Sequence, residues 1–304
     1  MAYVSPYLDA PTPLGFAHRG GAGGGGENTV AAFARAVSLG YRYIETDVRA
    51  TADGVAVILH DDTLDRVFGH HGRVCDLRWE DLASLRADGA TVVPRLDEVL
   101  DGWPEVRFNI DAKSDDAVAP IVAAVRWAAA EEQVLLASFD DARLARLRRM
   151  AGPRVATSMG VREVARLWVA ARLGRRLRVP AGVVAAQVPL RHGPVSVVTR
   201  QFIRYCHRLG LQVHVWTIDD PTEMRVLLDW GVDGIMTDRI EVLRDVYTGL
   251  GHWTDPPPEP TDGTRIRPVV GGPSPRHRMF IPSMDTAGVL RALHATTLWP
   301  WRRR

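Results

Sequence analysis

The sequence predicts an α/β protein, a (β/α)8 TIM barrel with a small insertion after its second strand and a proline-rich C-terminal extension. Short β-branched runs alternate with helical patterns over about 235 residues, the length and order of such a barrel. Eight of these runs remain when the return strand of one hairpin is left out. A doubly wound open sheet is the structural alternative, and it is disfavoured because no glycine-rich nucleotide fingerprint follows any strand.

The predicted strands are apolar runs bounded by turn or charged residues. The eight barrel strands are Phe16–Arg19, Tyr43–Arg49, Val106–Asp111, Val134–Ser138, Val155–Ser158, Val183–Gln187, Val213–Thr217 and Gly234–Thr237. A further run, Val55–His60, follows the turn at Ala52–Gly54 and is expected to pair with the second strand as a hairpin. That pairing would bring His60 roughly opposite Glu45.

Apolar residues at helical spacing separate most of the strands. The predicted helices are Thr29–Leu39, Trp79–Leu85, Leu96–Leu100, Ala117–Ala130, Asp141–Met150, Val161–Leu173, Val197–Arg208 and Thr222–Trp230. Asn28 is predicted to cap the first helix at its N-terminus. Residues 61–105 hold the second and third of these helices and form the predicted insertion.

Two regions are predicted, a barrel domain at 1–248 and an extension at 249–304 that is partly disordered or packed on the barrel. The extension contains the linker-like run Asp255–Pro260 and one possible short helix, Thr286–Thr297. Its end, Trp299–Arg304, is aromatic and basic, so it could contact a lipid interface or another subunit. A disordered tail is the alternative.

Composition is that of an ordinary globular protein, with 46% hydrophobic and 24% charged residues. No apolar run approaches the length of a transmembrane helix, and residues 1–13 have no signal-peptide pattern. Cys75 and Cys206 are the only cysteines, which favours a reducing compartment. We therefore expect a cytoplasmic protein.

Charge is unevenly distributed in this chain of net charge +2. Residues 143–178 hold 11 Arg and a single acid, Glu163, so this segment could attract phosphate or an anionic membrane. A solvated helical face is the alternative. Of the 38 basic residues only Lys113 is lysine, which points to a position where a compact charge is needed. No nucleic-acid partner is expected, and the oligomeric state is not predicted.

Carboxylates at a spacing of two residues are the most informative feature of the chain. Glu45 and Asp47 share one face of the second strand, and Asp111 and Lys113 share one face of the next. An all-oxygen site of this kind suits Mg²⁺ or Ca²⁺ better than zinc. The positive charges of Arg19 and Lys113 beside a cation would suit a phosphate-bearing substrate.

Two histidines at strand ends complete the predicted site. His18 and His60 have the ordinary pKa range for exchanging protons with the attacking and leaving oxygens of a phosphodiester. A lone histidine on an apolar strand is more often structural, but two beside a carboxylate pair favour catalysis.

Several ordered motifs together resemble the glycerophosphodiester phosphodiesterase family over about residues 14–248. They are Gly15-Phe-Ala-His-Arg-Gly20, Glu27-Asn-Thr29, Ile44-Glu-Thr-Asp-Val48, Thr51-Ala-Asp-Gly54, His60-Asp61 and Gly231-Val-Asp-Gly-Ile-Met-Thr-Asp238. The resemblance implies a barrel enzyme that hydrolyses glycerophosphodiesters to glycerol 3-phosphate and an alcohol, with one divalent cation, Mg²⁺ or Ca²⁺. It implies three metal ligands, Glu45, Asp47 and Asp111, and a catalytic pair, His18 and His60. It also implies contacts with the substrate or its phosphate from Arg19, Lys113 and Trp216.

The chain departs from the family pattern at two positions. Gly26 stands where proline usually precedes Glu-Asn-Thr, and Asp111 stands where the third metal carboxylate is commonly glutamate. Neither change removes a needed functional group. Two other functions stay open: a lysophospholipase D-type phosphodiesterase acting on lipids at a membrane surface, and a catalytically inactive protein that binds a phosphate ligand.

Overall fold

The computed structural model describes residues 5–24, 26–87 and 92–253. Nearly all of the predicted extension, including its possible helix at Thr286–Thr297, lies outside them. The strands in chain order are β1 (Leu14–His18), β2 (Tyr43–Ala50), β3 (Ala56–Ile58), β4 (Arg107–Ala112), β5 (Val134–Ala137), β6 (Ala156–Ser158), β7 (Val183–Pro189), β8 (Arg191–His192), β9 (Val195–Ser196), β10 (Gln212–Trp216) and β11 (Gly234–Thr237).

Within these described ranges eight parallel strands close into a barrel, as predicted, in the order β1-β2-β4-β5-β6-β7-β10-β11. Closure is made by β1, which pairs with β11 at Leu14–Gly234 and with β2 at His18–Glu45. On the other edge of β2, Asp47 lies opposite Asp111 of β4. The register alone therefore sets two of the predicted metal carboxylates side by side.

Helices surround the barrel strands. They are α1 (Val30–Ser38), α2 (Asp65–Phe68), α3 (Trp79–Ser84), α4 (Leu96–Gly102), α5 (Val118–Trp127), α6 (Asp141–Ala151), α7 (Val161–Leu173), α8 (Arg200–Arg208), α9 (Pro221–Trp230) and α10 (Ile240–Gly249). The short α2 and the final α10 have no counterpart among the predicted helices. No helix in the described part of the chain is long and apolar enough to cross a membrane.

The hairpin of β2 and β3 has nearly the predicted register. Val48 pairs with Ile58, and the amide of Leu59 donates to the carbonyl oxygen of Asp47 at 3.0 Å. His60 therefore follows a residue paired with Asp47 and lies at the level of the carboxylate pair, as the sequence predicted.

Apolar side chains fill the barrel near the N-terminal ends of its strands. Leu14, Phe16 and Tyr43 lie there in one apolar cluster with Tyr7, a fully buried residue of the N-terminal turn Pro6–Leu8. The hydroxyl of Tyr43 donates to the carbonyl oxygen of Tyr7 at 2.9 Å. This packing occupies the N-terminal side of the strands, which leaves space for a site at their C-terminal ends.

Candidate active site

A cavity of about 810 Å³ lies at the C-terminal ends of the barrel strands. A volume of this size is typical of ligand-binding pockets. All eight residues predicted from the sequence line this one cavity: His18, Arg19, Glu45, Asp47, His60, Asp111, Lys113 and Trp216.

Lys113 connects the carboxylates of β2 and β4. Its Nζ lies 2.8 Å from Asp47 Oδ1 and 2.7 Å from Asp111 Oδ2. Both carboxylates are buried, so their charges are held in a medium of low dielectric constant where pairing is strong. The single lysine of the chain therefore lies at the centre of the predicted metal site.

The three carboxylates differ in pKa. Burial and the neighbouring charge of Asp47 raise the pKa of Glu45 to about 7. Burial also raises the pKa of Asp111, against the lowering effect of Lys113. At Asp47 burial is outweighed by Lys113 and Arg19, which hold the pKa below its usual value. Burial therefore raises the pKa of two of the three carboxylates, and only Asp47 has its pKa lowered by its cationic neighbours.

Arg19 follows β1 in the left-handed region, with φ of 51°, so its backbone turns toward the carboxylates. Its amide donates to Glu45 Oε2 at 3.2 Å, and its Nε lies 3.1 Å from Asp47 Oδ2. Its Nη1 donates to both carboxylate oxygens of Glu27. Arg19 is thereby held at the edge of the cavity, with its charge beside the carboxylate cluster.

His18 is held by Asp238, the residue that follows β11. His18 Nδ1 lies 2.6 Å from Asp238 Oδ1, and His18 Nε2 lies 3.6 Å from Glu45 Oε2. Because a carboxylate only accepts hydrogen bonds, this contact places the proton of the neutral ring on Nδ1. Burial lowers the pKa of His18, but Glu45 and Asp238 outweigh burial and the pKa is raised.

His60 has a parallel arrangement. Its Nδ1 lies 2.7 Å from Asp61 Oδ1, and Asp61 Oδ2 accepts from Arg66 Nε at 2.5 Å. The hydrogen bond from Arg66 is the largest cause of the low pKa of Asp61, about 2. Both histidines therefore have Nδ1 on a carboxylate, which leaves Nε2 for exchange of protons with a substrate.

Asn28 is a site residue whose role the sequence did not reveal. Thr29, not Asn28, caps α1, because Thr29 Oγ1 accepts from the amide of Ala32. Asn28 has φ of 57° and is buried, and its Nδ2 donates to Asp47 Oδ2 at 2.9 Å. Its Oδ1 accepts from Thr46 Oγ1 at 2.8 Å. Asn28 thus orients the Asp47 carboxylate.

Trp216 lies on the side of the cavity away from the carboxylates. Its ring contacts Phe139, with centroids 5.5 Å apart in an edge-to-face arrangement. Lys113 Nζ lies 5.7 Å from the centroid of the Phe139 ring. Phe139 therefore lies near both Lys113 and Trp216 in the cavity lining. It was not among the predicted site residues because nothing about an exposed phenylalanine after a strand marks it in the sequence.

The donor set fits a hard divalent cation. Asp111 Oδ1 is buried without a hydrogen-bond partner, and burial together with the neighbouring charge of Asp47 raises the pKa of Glu45. Oxygen ligands of this kind suit Mg²⁺ or Ca²⁺. Among the residues that the structure describes, no group of three or more His, Cys, Asp or Glu side chains already has metal-binding spacing. Lys113 Nζ lies between two of the carboxylates.

The carboxylates, histidines and lysine at the C-terminal mouth of this closed eight-stranded barrel suit a hydrolase that acts on phosphate esters. The family model described as "Glycerophosphoryl diester phosphodiesterase family" matches residues 18–242. The chain belongs to this family, and it is an enzyme, a phosphoric diester hydrolase.

Individual relatives agree with this assignment. The "Probable glycerophosphodiester phosphodiesterase 2" of Mycobacterium tuberculosis is 43% identical over 230 residues, which cover 74% of this chain and 87% of the relative. A glycerophosphodiester phosphodiesterase of Caldanaerobacter subterraneus is 30% identical over 251 residues, covering 76% and 96%. The solved glycerophosphodiester phosphodiesterase of Agrobacterium tumefaciens has 26% identity and a TM-score of 0.63, covering 78% and 99%.

Proposed function

We propose that the enzyme hydrolyses glycerophosphodiesters to glycerol 3-phosphate and an alcohol, with one divalent cation, Mg²⁺ or Ca²⁺. The observation that carries this proposal is the meeting of two carboxylate-held histidines, three buried carboxylates and Lys113 in one cavity. A phosphodiesterase from Oleispira antarctica, with 21% identity and a TM-score of 0.63, was solved in complex with sn-glycerol-3-phosphate, which agrees with the proposed product.

Glu45, Asp47 and Asp111 would hold the cation. Once bound, the cation would neutralise charge on the phosphate oxygens and polarise the phosphorus centre. Asn28 would keep Asp47 oriented through its 2.9 Å hydrogen bond. Lys113 Nζ would leave at least one of its two carboxylate contacts to admit the cation, and its charge would then be available to a phosphate oxygen.

His18 and His60 would divide the proton transfers. One Nε2 would accept a proton from the attacking oxygen, and the other would donate a proton to the leaving alkoxide. Asp238 and Asp61 keep the Nδ1 atoms of the two rings engaged, at 2.6 and 2.7 Å. Arg19 would contribute charge near the phosphate from its fixed place beside Asp47.

The test is release of glycerol 3-phosphate from glycerophosphocholine by the purified enzyme with Mg²⁺ or Ca²⁺. His18→Ala and His60→Ala are each expected to lower kcat about 10²–10⁴-fold, the usual loss for a general acid or base. His70→Ala, which replaces an exposed histidine outside the cavity, is the matched control. Unchanged turnover in both site variants would rule out this division of roles.

A further inference from the structure

An arginine of the insertion bridges two carboxylates next to the cavity. Arg66, on the short helix α2, donates from Nε to Asp61 Oδ2 at 2.5 Å and from Nη2 to Glu27 Oε1 at 2.6 Å. The two carboxylates belong to different segments, because Glu27 precedes α1 and Asp61 follows the hairpin of β2 and β3. None of these three residues is part of the cavity lining, so any effect on the reaction passes through other residues.

One end of this bridge reaches His60. Asp61 Oδ1 lies 2.7 Å from His60 Nδ1, while Asp61 Oδ2 is held by Arg66. A carboxylate held at both oxygens cannot rotate without losing a charge-assisted hydrogen bond. The hydrogen bond from Arg66 also favours the charged form of Asp61, whose pKa it lowers to about 2. Arg66 therefore fixes the direction and the charge of the carboxylate that holds the His60 ring.

The other end of the bridge reaches Arg19. Glu27 Oε1 accepts from Arg66 Nη2 at 2.6 Å and from Arg19 Nη1 at 3.1 Å, and Glu27 Oε2 accepts from Arg19 Nη1 at 3.2 Å. Arg19 Nε in turn lies 3.1 Å from Asp47 Oδ2. Side chains of alternating charge thus form one continuous chain of contacts from Asp47, a predicted metal ligand, to His60.

The side-chain contacts of Glu27 matter because the backbone before it is unrestricted. Gly26 has φ of 75° and is exposed. Proline, which the family usually has at this position, fixes φ at about −65° and would limit the path of the chain into Glu27. Glycine sets no such limit. The carboxylate of Glu27 is therefore held by the two arginines and not by a rigid preceding residue.

Helix α2 holds Arg66 in place by its apolar residues. Val67 and Phe68 pack against an apolar cluster of the insertion that includes Leu64 and Leu82. The guanidinium of Arg66 is therefore carried by a packed element and not by a free loop. This position gives α2 a place beside the site that the sequence did not predict.

Arg66 differs from an ordinary surface arginine. Its side chain is 51% exposed, but its two carboxylate partners are only 19% and 24% exposed. Arg78, in the same insertion, is 63% exposed and lies 3.2 Å from Glu80, which is 76% exposed. An isolated exposed ion pair contributes little, whereas a planar guanidinium shared by two partly buried carboxylates is held in one geometry. The bridge is therefore expected to affect orientation more than stability.

We propose that Arg66 is a positioning residue of the hydrolysis, which orients His60 through Asp61 and holds Arg19 through Glu27. The inference rests on the proposed function, because His60 and Arg19 act there on the phosphodiester. The path through Asp61 serves proton transfer and should therefore affect kcat. The path through Glu27 serves the charge beside the phosphate and should therefore affect KM.

The test measures kcat and KM for glycerophosphocholine, with Mg²⁺ or Ca²⁺, in the wild type and in three single variants. Arg66→Ala is expected to lower kcat about tenfold or more and to raise KM about threefold or more, as for lost groups that orient catalytic residues. Asp61→Asn should reproduce mainly the loss of kcat, and Glu27→Gln mainly the rise in KM. Arg78→Ala is the matched control and should keep both wild-type values.

Double variants separate positioning from a merely structural role, because groups that act through one another have non-additive effects. In the Asp61→Asn background, Arg66→Ala should lower kcat by no more than about twofold further. In the Glu27→Gln background, it should raise KM by no more than about twofold further. A merely structural role predicts instead that the effects multiply and that the free energy of unfolding falls with them.

Nitrogen NMR of the His60 ring gives a readout that needs no turnover, with His60→Gln to assign the signals. At a pH of about 8.5 the wild-type ring should be the neutral form with its proton on Nδ1, because Asp61 only accepts hydrogen bonds. Arg66→Ala should give a mixture of the Nδ1–H and Nε2–H forms, and Arg78→Ala should not.

The outcomes separate the two proposals. Wild-type kcat and KM in Arg66→Ala, or effects that multiply in the double variants, overturn the role of Arg66 and leave the proposed function intact. A wild-type enzyme that cleaves no glycerophosphodiester overturns the proposed function. In that case a mixture of ring forms in Arg66→Ala still supports positioning of His60, and an unchanged Nδ1–H form rejects it.

Discussion

His18 Nδ1 lies 2.6 Å from Asp238 Oδ1, so the first strand of the barrel and the residue after the last strand meet in one hydrogen bond. The pairing follows from barrel closure, since Ala17 and Thr237 lie opposite each other in the ladder between β1 and β11. Closure of the barrel therefore brings Asp238 to His18 and orients the histidine ring.

Asp238→Asn tests this relationship. The substitution keeps the shape of the side chain but removes the charge that fixes the ring orientation and stabilises the protonated imidazole. We expect kcat to fall about tenfold or more, as for lost partners of this kind, while KM changes little. Asp245→Asn, on the exposed face of α10, is the control. A wild-type kcat in Asp238→Asn would mean that the 2.6 Å contact has no part in catalysis.

Lys113→Arg tests why the chain retains one lysine. The Nζ fits between two carboxylate oxygens at 2.8 and 2.7 Å, and a planar guanidinium cannot occupy the same point. We expect kcat/KM to fall at least tenfold with little loss of stability. Arg225→Lys on α9 provides the reverse exchange at a surface position. Full activity in Lys113→Arg would make the lone lysine an accident of composition.

Gly234 allows close packing where β11 pairs with β1 to close the barrel. A Cβ at this position would lie 2.7 Å from Phe16 Cε2 and 2.9 Å from His214 Cδ2, and both are buried rings with little freedom to shift. Gly234→Ala is therefore expected to lower the free energy of unfolding by about 1–3 kcal/mol. Gly102→Ala, with open space around it, should be neutral or slightly stabilising. Urea denaturation of the two variants measures the difference.

His214 makes the stability depend on pH. It is fully buried beneath the cavity, and burial lowers its pKa to about 3. Gln187 Nε2 approaches its Nδ1 at 3.3 Å, and its Nε2 lies 2.9 Å from Gln212 Oε1, a pattern that suits the neutral ring. Because the unfolded pKa is about 6.5, the stabilisation is complete above that pH and is lost as the pH falls toward 3.

His214→Gln should remove this dependence. Between pH 7.5 and pH 5 the wild-type protein is expected to lose about 2 kcal/mol more than the variant in free energy of unfolding. The comparison uses the difference between the two proteins, because other groups titrate in both. His70→Gln replaces an exposed histidine and should follow the wild-type curve. If the free energy of unfolding changes with pH in the same way for wild type and His214→Gln, protonation of His214 does not affect stability.

The barrel strands could be predicted closely because each is an apolar run whose buried character shows in the sequence. The predicted Tyr43–Arg49 and Val183–Gln187 differ from β2 and β7 by only one or two residues at their ends. The β8–β9 hairpin could not be predicted in the same way. Each of its strands has two residues, and Arg191 and His192 have none of the apolar alternation that marks a strand.

The site was predictable where one strand sets the geometry and not where distant segments meet. A spacing of two residues is enough to place Glu45 beside Asp47 on one face. The partnership of Asn28 with Asp47 depends on a positive φ and on a contact across 19 residues of sequence. The hydrogen bond between His18 and Asp238 spans 220 residues of sequence and forms only when the barrel closes.

The most direct test of the account is the metal dependence of glycerol 3-phosphate release by the wild-type enzyme and by Asp47→Asn. The wild-type activity should vanish with chelator, return with Mg²⁺ or Ca²⁺, and saturate as the cation is added. Asp47→Asn should require at least tenfold more cation for half-maximal activity, because it loses a buried charged ligand. Identical titration curves for the two proteins would contradict a cation held by Glu45, Asp47 and Asp111.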